Sequence, residues 1–340
     1  MRKRSLILWI SGTTAAVLLL AAAWVPLPYY SEGPGPAREV VPLIRVDGHP
    51  TYDSGHLVMT TVSFRQLTAI LALIAWIDPD KRIIGQDLLY PAGQTVAQER
   101  QRAQSQMDTS KLAAASVVLT ALTDYQVAAD LPGDTGDGVL IETVFSQCQA
   151  EGKLFAGDLV DTIDGTPVHD VPGASAALDA IPPGQPLTFH VSAGGEQHDV
   201  TVTRGDCPGA DRPVVGIAMV NDFPFDVSIA SGDVGGPSAG LMWSLGLYDL
   251  LTPGDLTGGR LVAGTGEIGL DSAVGPIGGI GDKIVAARGV GADIFLVPKD
   301  NMAEARTVDA GDMRLVPVGS FDDALAALGV TLPSDTPTAA

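Results

Sequence analysis

Leu6 to Val25 runs for about twenty residues without a charge, and Arg2, Lys3 and Arg4 precede it. A run of that length matches the hydrocarbon core of a bilayer, and a basic flank stays on the cytoplasmic side. The pattern predicts one transmembrane anchor, with Trp24, Tyr29 and Tyr30 at the outer interface and the rest of the chain outside the cytoplasm. Ala21-Ala22-Ala23 also offers an A-x-A site, so a cleaved signal peptide is the competing reading. Pro26 to Arg38 reads as a Pro/Gly-rich connector leading away from the membrane.

Beyond the connector, Val40 to Phe64 has a strand-like pattern broken by turn residues. The apolar run Leu67 to Ile77 is too short to span a bilayer and predicts a buried core helix, stopped by Asp78-Pro79. A polar helix follows over Gln94 to Gln106. A second, rich in Ala, Val and Leu, spans Lys111 to Leu122, with Asp108, Thr109 or Ser110 as its cap. From about Thr123 to Arg204 short strands and turns take over. Asp164-Gly165 signals a tight hairpin, Gly173 to Ala180 a short helix, and Pro186 to Val202 two closing strands. Gly205 to Arg212 is a polar linker, and Val214–Val220 and Phe225–Ile229 read as strands. Ser238 to Leu251 predicts an apolar helix stopped by Pro253-Gly254. Strands and helices then alternate, and Ser320 with Asp323 forms a capping box before Ala324 to Leu328. The chain from Leu332 onward reads as a tail.

Composition narrows the functions. The 340 residues are 46% apolar, enough for two cores. Net charge is −20 with six lysines, which argues against a nucleic-acid partner, because phosphate binding needs a basic face. Cys148 and Cys207 lie in a part of the chain expected in an oxidising compartment; they are free to pair there, but sequence does not show that they do.

The candidate chemistry lies between Ser231 and Asp300. Ser238 sits in the glycine-rich turn Gly235-Gly236-Pro237-Ser238-Ala239-Gly240, at the entry to an apolar helix. Lys283 follows Gly278-Gly279-Ile280-Gly281-Asp282 at a second such entry. A serine hydroxyl needs a base to become a nucleophile. None of the five histidines, His49, His56, His169, His190 and His198, lies in residues 231–340. A lysine can serve if burial disfavours its ammonium form, and Ile284, Val285, Ala286 and Ala287 after Lys283 suggest an apolar setting. The turn before Ser238 could hold an oxyanion on its N–H groups. Pro237 has none, so the donors would be Ser238 itself and Gly235 or Gly236. The plain alternative is that Ser238 merely caps a helix. A nucleotide-binding Walker A reading fails, because Asp282 precedes Lys283 and Ile284 follows it.

Five linked motifs resemble the proteolytic domain of Lon proteases. They are Gly236-Pro237-Ser238-Ala239-Gly240, Thr265-Gly266-Glu267-Ile268, Val274-Gly275-Pro276-Ile277-Gly278-Gly279, Asp282-Lys283, and Val297-Pro298-Lys299-Asp300-Asn301. The resemblance implies a serine peptidase in which Ser238 is the nucleophile, Lys283 the base, and Thr265 a hydrogen-bond partner of the lysine. Lys299 is expected as a surface charge. Many members of that family carry an acidic residue three positions before the serine, where this chain has Gly235; Asp233 is close but displaced. The pattern from Gly152 to Val168, G-x-L-x-A-G-D-x-V-x-x-I-D-G-x-x-V read from Gly152, resembles bacterial PDZ domains. That likeness implies capture of extended chain ends, here between a strand containing Gly138, Val139, Leu140 and Ile141 and the helix at Gly173–Ala180.

Together these readings give an α+β chain: a Lon-type proteolytic domain with an inserted PDZ domain, preceded by one transmembrane helix. The expected divisions are 1–30 basic flank and anchor, 31–122 first part of the proteolytic domain, 123–205 PDZ domain, 206–332 catalytic domain and 333–340 tail. The expected activity is ATP-independent endopeptidase cleavage of peptides or unfolded proteins, with no cofactor and no metal. Expected partners are PDZ-bound chain ends and membrane lipid through residues 6–25, with no nucleic acid and with self-assembly left open. The alternative is a catalytically silent PDZ scaffold at the cell surface.

Overall fold

The computed structural model describes residues 22–52, 55–90, 95–127, 137–193 and 195–330, together with Thr13 and Leu332. The expected anchor at 6–25 lies almost entirely outside the described residues, as do the basic flank and the tail from 333. No helix among the described residues is long and apolar enough to cross a membrane.

The chain is mixed α/β, with two main sheets. The strands are β1 (Pro26–Glu39), β2 (Ile44–Asp47), β3 (His56–Thr68), β4 (Arg82–Gly85), β5 (Val139–Val144), β6 (Leu159–Ile163), β7 (Thr166–Pro167), β8 (Pro186–Ala193), β9 (Glu196–Thr203), β10 (Ile217–Asn221), β11 (Asp226–Ile229), β12 (Leu261–Gly264), β13 (Glu267–Ile268), β14 (Val274–Gly275), β15 (Ile294–Pro298) and β16 (Arg314–Val318). The larger sheet has the order β16-β15-β12-β3-β1-β4. β12 lies parallel to both β3 and β15, with Val262 beside Leu57 and Ile294. Strand period two decides which face each residue serves. Leu57, Met59, Val262, Ile294 and Leu296 enter one core, with the helices Val96–Leu122 and Gly240–Leu251. Val58, Ala263, Phe295 and Val297 enter the other, under the helix Ile280–Gly289. Buried Asp249 ties the start of β3 to the helix Gly240–Leu251, accepting from the N–H groups of Gly55 (2.7 Å) and Leu256 (2.8 Å).

Several expectations need correction here. Pro26–Arg38 is no connector but most of a 14-residue strand paired along β3. The prolines explain why this works. Only Tyr29–Glu32 has neighbours on both sides, through β4, and that stretch is free of proline. Pro26, Pro28, Pro34 and Pro36 fall outside the stretch paired with β4, where the strand has β3 alone as its partner and a missing N–H is tolerated best. The apolar run 67–77 ends β3 and then forms the helix Ala69–Ile77, in which only Ala75 is buried. Leu73, Trp76 and Ile77 are 58%, 76% and 71% exposed. The two helices expected over 94–122 are one helix, Val96–Leu122, capped by Thr95 and Gln98 in a reciprocal box. Asp108, Thr109 and Ser110 do not cap, because the helix runs unbroken through them, and their side chains bond elsewhere. Asp108 pairs with Lys111, the Thr109 hydroxyl donates to the Glu142 carbonyl, and the Ser110 hydroxyl donates to the Pro237 carbonyl.

The smaller sheet, β10-β5-β6-β8-β9 with β7 beside β6, encloses its own core around Val139, Ile141, Leu187, Phe189 and Val191. Asp164 and Gly165 both have positive φ (48° and 78°), the shape a two-residue hairpin needs, and they join β6 to β7. The short helix is Val171–Asp179, capped by Asp170. β10 was expected in the catalytic part but closes this sheet against β5, so the unit extends past 205 to Asn221. Buried Asn221 fastens the place where the chain enters and leaves. Its Nδ2 donates to the Gln126 carbonyl, its N–H to the Val127 carbonyl, and its carbonyl accepts from the Tyr125 hydroxyl. In sequence, the smaller sheet therefore lies between two parts of the larger one.

Cys148 and Cys207 form a disulfide between residues 59 positions apart. Closing a loop of that size is worth about 4 kcal/mol in the chain-entropy account. The double variant Cys148→Ala, Cys207→Ala should therefore lose roughly 3–4 kcal/mol of stability in urea unfolding. A loss within error of zero would mean that the bond contributes nothing to folding.

Candidate active site

Three segments from the second half of the chain converge. β12 ends at Gly264 and places Thr265 beside the turn that carries Ser238. The Gly266 N–H donates to the Ser238 carbonyl (2.8 Å), and the Leu241 N–H donates back to the Gly266 carbonyl (3.1 Å). The third segment is the helix Ile280–Gly289, which starts from Gly279 in the left-handed region at φ 68°. A Cβ at Gly279 would also lie 2.8 Å from Val62 Cγ2, so position 279 demands glycine on two counts. Asn301 grips the approach to this turn from both sides. Its Oδ1 accepts from the Ile277 N–H (2.8 Å) and its Nδ2 donates to the Ile277 carbonyl (2.9 Å).

One turn into that helix, Lys283 is 3% exposed. Its Nζ lies 2.7 Å from Ser238 Oγ and 2.9 Å from Thr265 Oγ1. The Thr265 hydroxyl donates to the Ser238 carbonyl at 2.9 Å, which turns its lone pairs toward the lysine. Burial lowers the Lys283 pKa from 10.5 to about 8. No ion pair among the described residues opposes that shift. An amine so placed is uncharged in a useful fraction of molecules near neutral pH, and its lone pair can then accept the serine proton.

Ser238 is not a helix cap. The capping position of Gly240–Leu251 falls on Ala239, and no side chain caps it. The serine hydroxyl is thus left to the lysine. Of the turn amides, the Gly236 N–H is already committed, donating to the Ala103 carbonyl at 2.7 Å. Gly236 is thereby corrected as an oxyanion donor. Among the described residues, the N–H groups of Ser238 and Gly235 have no backbone partner. Ser110 holds the turn from the same helix through its bond to the Pro237 carbonyl, a role that its sequence position, midway along a helix, gives no sign of.

The other candidates fall elsewhere. Asp233 is exposed. Lys299 is exposed and pairs with Asp323 at 2.7 Å. His190 pairs with Asp199 on the exposed face of the smaller sheet, not beside Ser238. Among the described residues, no group of three or more His, Cys, Asp and Glu side chains could hold a metal ion. The peptide-binding expectation for Gly138, Val139, Leu140 and Ile141 needs correction. β5 has β6 on one side and β10 on the other, so it offers no edge to an incoming strand. Among the described residues, β10 beside the helix Val171–Asp179 has β5 on one side and no strand on the other.

Comparison with known proteins fits this geometry. Residues 210–329 match the model of the Lon protease (S16) C-terminal proteolytic domain. The Lon protease of Methanosphaera stadtmanae is 36% identical over 122 residues, 34% of this chain and 14% of that protein. Lon protease 2 of Bacillus subtilis is 32% identical over 119 residues, 34% of this chain and 20% of that protein. The chain thus spans a fifth or less of the length of these relatives. Solved structures similar to part of the chain include the PDZ domains of SdrC-like proteins from Listeria innocua and Listeria monocytogenes. The first is 23% identical, covering 24% of this chain and 93% of that one, with a TM-score of 0.23. The second is 20% identical, covering 27% and 93%, also with a TM-score of 0.23. Residues 210–329, which carry Ser238, Thr265 and Lys283, are thus the part of the chain that resembles the Lon protease (S16) C-terminal proteolytic domain, and the likeness supports a serine-type peptidase.

Proposed function

We propose that this chain is a membrane-anchored, ATP-independent serine endopeptidase that works through a Ser238–Lys283 dyad. The observation that carries the reading is the 2.7 Å approach of a buried lysine amine to the serine hydroxyl. Neutral Lys283 takes the proton of Ser238 as its oxygen attacks a peptide carbonyl. The oxyanion that forms is stabilised by the free N–H groups of Ser238 and Gly235. The lysine ammonium then protonates the departing amine, leaving an ester on Ser238. Water attacks the ester, Lys283 takes a proton from it and passes that proton to the Ser238 oxygen as the acid product leaves, which restores the serine hydroxyl and the neutral amine. Thr265 holds the amine on line with Ser238 and completes its hydrogen bonds without adding a charge.

The smaller unit acts as a PDZ module in this reading. An extended chain end would add as a strand along β10, between its open edge and the helix Val171–Asp179. Residues 6–25 anchor the chain with its N-terminus in the cytoplasm and both folded units outside. The Cys148–Cys207 disulfide supports an oxidising compartment. No Walker A motif occurs in the sequence, so substrates would be unfolded or flexible chains. The test is hydrolysis of a denatured protein by the purified chain without nucleotide, beside Ser238→Ala. Equal cleavage by both would overturn the dyad, and no cleavage by either would favour a silent scaffold.

A further inference from the structure

We propose that the helix Ala69–Ile77 rests in the outer leaflet of the same bilayer that residues 6–25 enter; this rests on the anchoring reading above. The helix, AILALIAWI, has no polar side chain, yet only Ala75 is buried. Ile70, Leu73, Ile74, Trp76 and Ile77 are 40%, 58%, 51%, 76% and 71% exposed. A helix that is apolar on all sides is normally enclosed by protein or lipid. Among the described residues, protein encloses little of this one.

The strand register says which surface covers it. Pro26 pairs with Thr68, the residue that caps this helix. The uncharged run 6–25 therefore ends where the helix begins. Trp24, Val25 and Tyr29, at that junction, are 80%, 55% and 48% exposed. With Trp76 on the helix, these supply two tryptophans and a tyrosine, side chains that favour the boundary between headgroups and acyl chains. The far end of the helix is polar: Asp78 and Lys81 form an ion pair, and Arg82 reaches Glu32. Nine residues at 1.5 Å each make a helix of about 14 Å, less than half of a bilayer core, so it lies within one leaflet. With a net charge of −20, neither a second copy of the chain nor an acidic headgroup attracts this face by charge. The attraction is apolar, and a zwitterionic surface suffices.

The contact would also set where cleavage occurs. The Lys283 turn packs on Val62, six residues along β3 from Thr68. At about 3.3 Å per residue that is roughly 20 Å from the helix start. The catalytic serine would then meet chains close to the membrane surface.

The test uses the full-length chain reconstituted in phosphatidylcholine vesicles, with its own cysteines in the disulfide. Leu73→Cys and, separately, Ile77→Cys are labelled with a polarity-sensitive nitrobenzoxadiazole dye, and Gln197→Cys, exposed on the smaller sheet, serves as the control. Dye at 73 and 77 should emit at shorter wavelength, lose most of its emission to spin-labelled lipid and resist aqueous iodide; dye at 197 should do the reverse. If the chain floats with the vesicles but iodide quenches 73 and 77, the inference fails and the anchor stands. If 73 and 77 resist both quenchers, protein covers the helix and the inference fails. If the chain does not float at all, the anchoring reading fails and takes this one with it.

Discussion

Ser238→Ala is expected to lower peptide hydrolysis by at least about a thousandfold, because it removes the hydroxyl that forms the acyl bond in the proposed mechanism. The fold should survive. Ser238 caps no helix, so the usual loss of about 1 kcal/mol for a missing cap does not apply. One hydrogen bond disappears, that between Ser238 Oγ and Lys283 Nζ, at a net cost of roughly 1 kcal/mol. Steady-state cleavage of a fluorogenic peptide and the unfolding midpoint in urea should be measured on one preparation. A variant that unfolds says nothing about chemistry. A folded variant with near-parental turnover would remove Ser238 from the mechanism.

Lys283 should impose a pH profile of definite sign. Burial lowers its pKa to about 8, and only the neutral amine accepts a proton. Activity should rise tenfold per pH unit up to that value and level off above it, so that turnover at pH 6 is about a hundredth of the plateau. Lys283→Met should lose hydrolysis by at least about a thousandfold at every pH. Its stability should move the other way. Because the folded pKa lies below the unfolded one, the lysine opposes folding. That cost is fully present below about 8 and vanishes as the pH rises through 10.5. Lowering the pKa from 10.5 to about 8 corresponds to an upper bound near 3 kcal/mol. Ser238 and Thr265 each lose a hydrogen-bond partner in the Met variant, at roughly 1 kcal/mol apiece. A net gain of roughly 1 kcal/mol at pH 7 is expected, turning into a net loss of roughly 2 kcal/mol at pH 11. An active Met variant, or a rate that falls as pH rises from 6 to 8, would exclude lysine as the base.

Much of the site is legible in the chain because its parts depend on local chemistry. Glycines at a helix entry, a serine among them, and a lysine followed by Ile284 to Ala287 are statements about residue type and neighbours. The hairpin at Asp164-Gly165 and the cap at Ser320 are legible for the same reason: each is settled within four residues. So is the period-two pattern of Leu57, Val58 and Met59, which assigns opposite faces before the sheet is known.

What the chain alone leaves open concerns partners far away in sequence. The commitment of the Gly236 N–H depends on the Ala103 carbonyl, and the anchoring of Pro237 depends on Ser110, 127 positions earlier. The disulfide state of Cys148 depends on where Cys207 arrives. Which strand of the smaller sheet keeps an open edge depends on β10, contributed after the closing strands. A strand rich in proline is tolerated where β4 pairs with just its proline-free stretch, Tyr29–Glu32. The helix Ala69–Ile77 makes the point most sharply. Its sequence demands a place away from water, and only the fold reveals that the described residues leave most of it uncovered. Residue type thus determines what each segment can do, while the neighbours that long-range packing supplies decide which of those capacities is used.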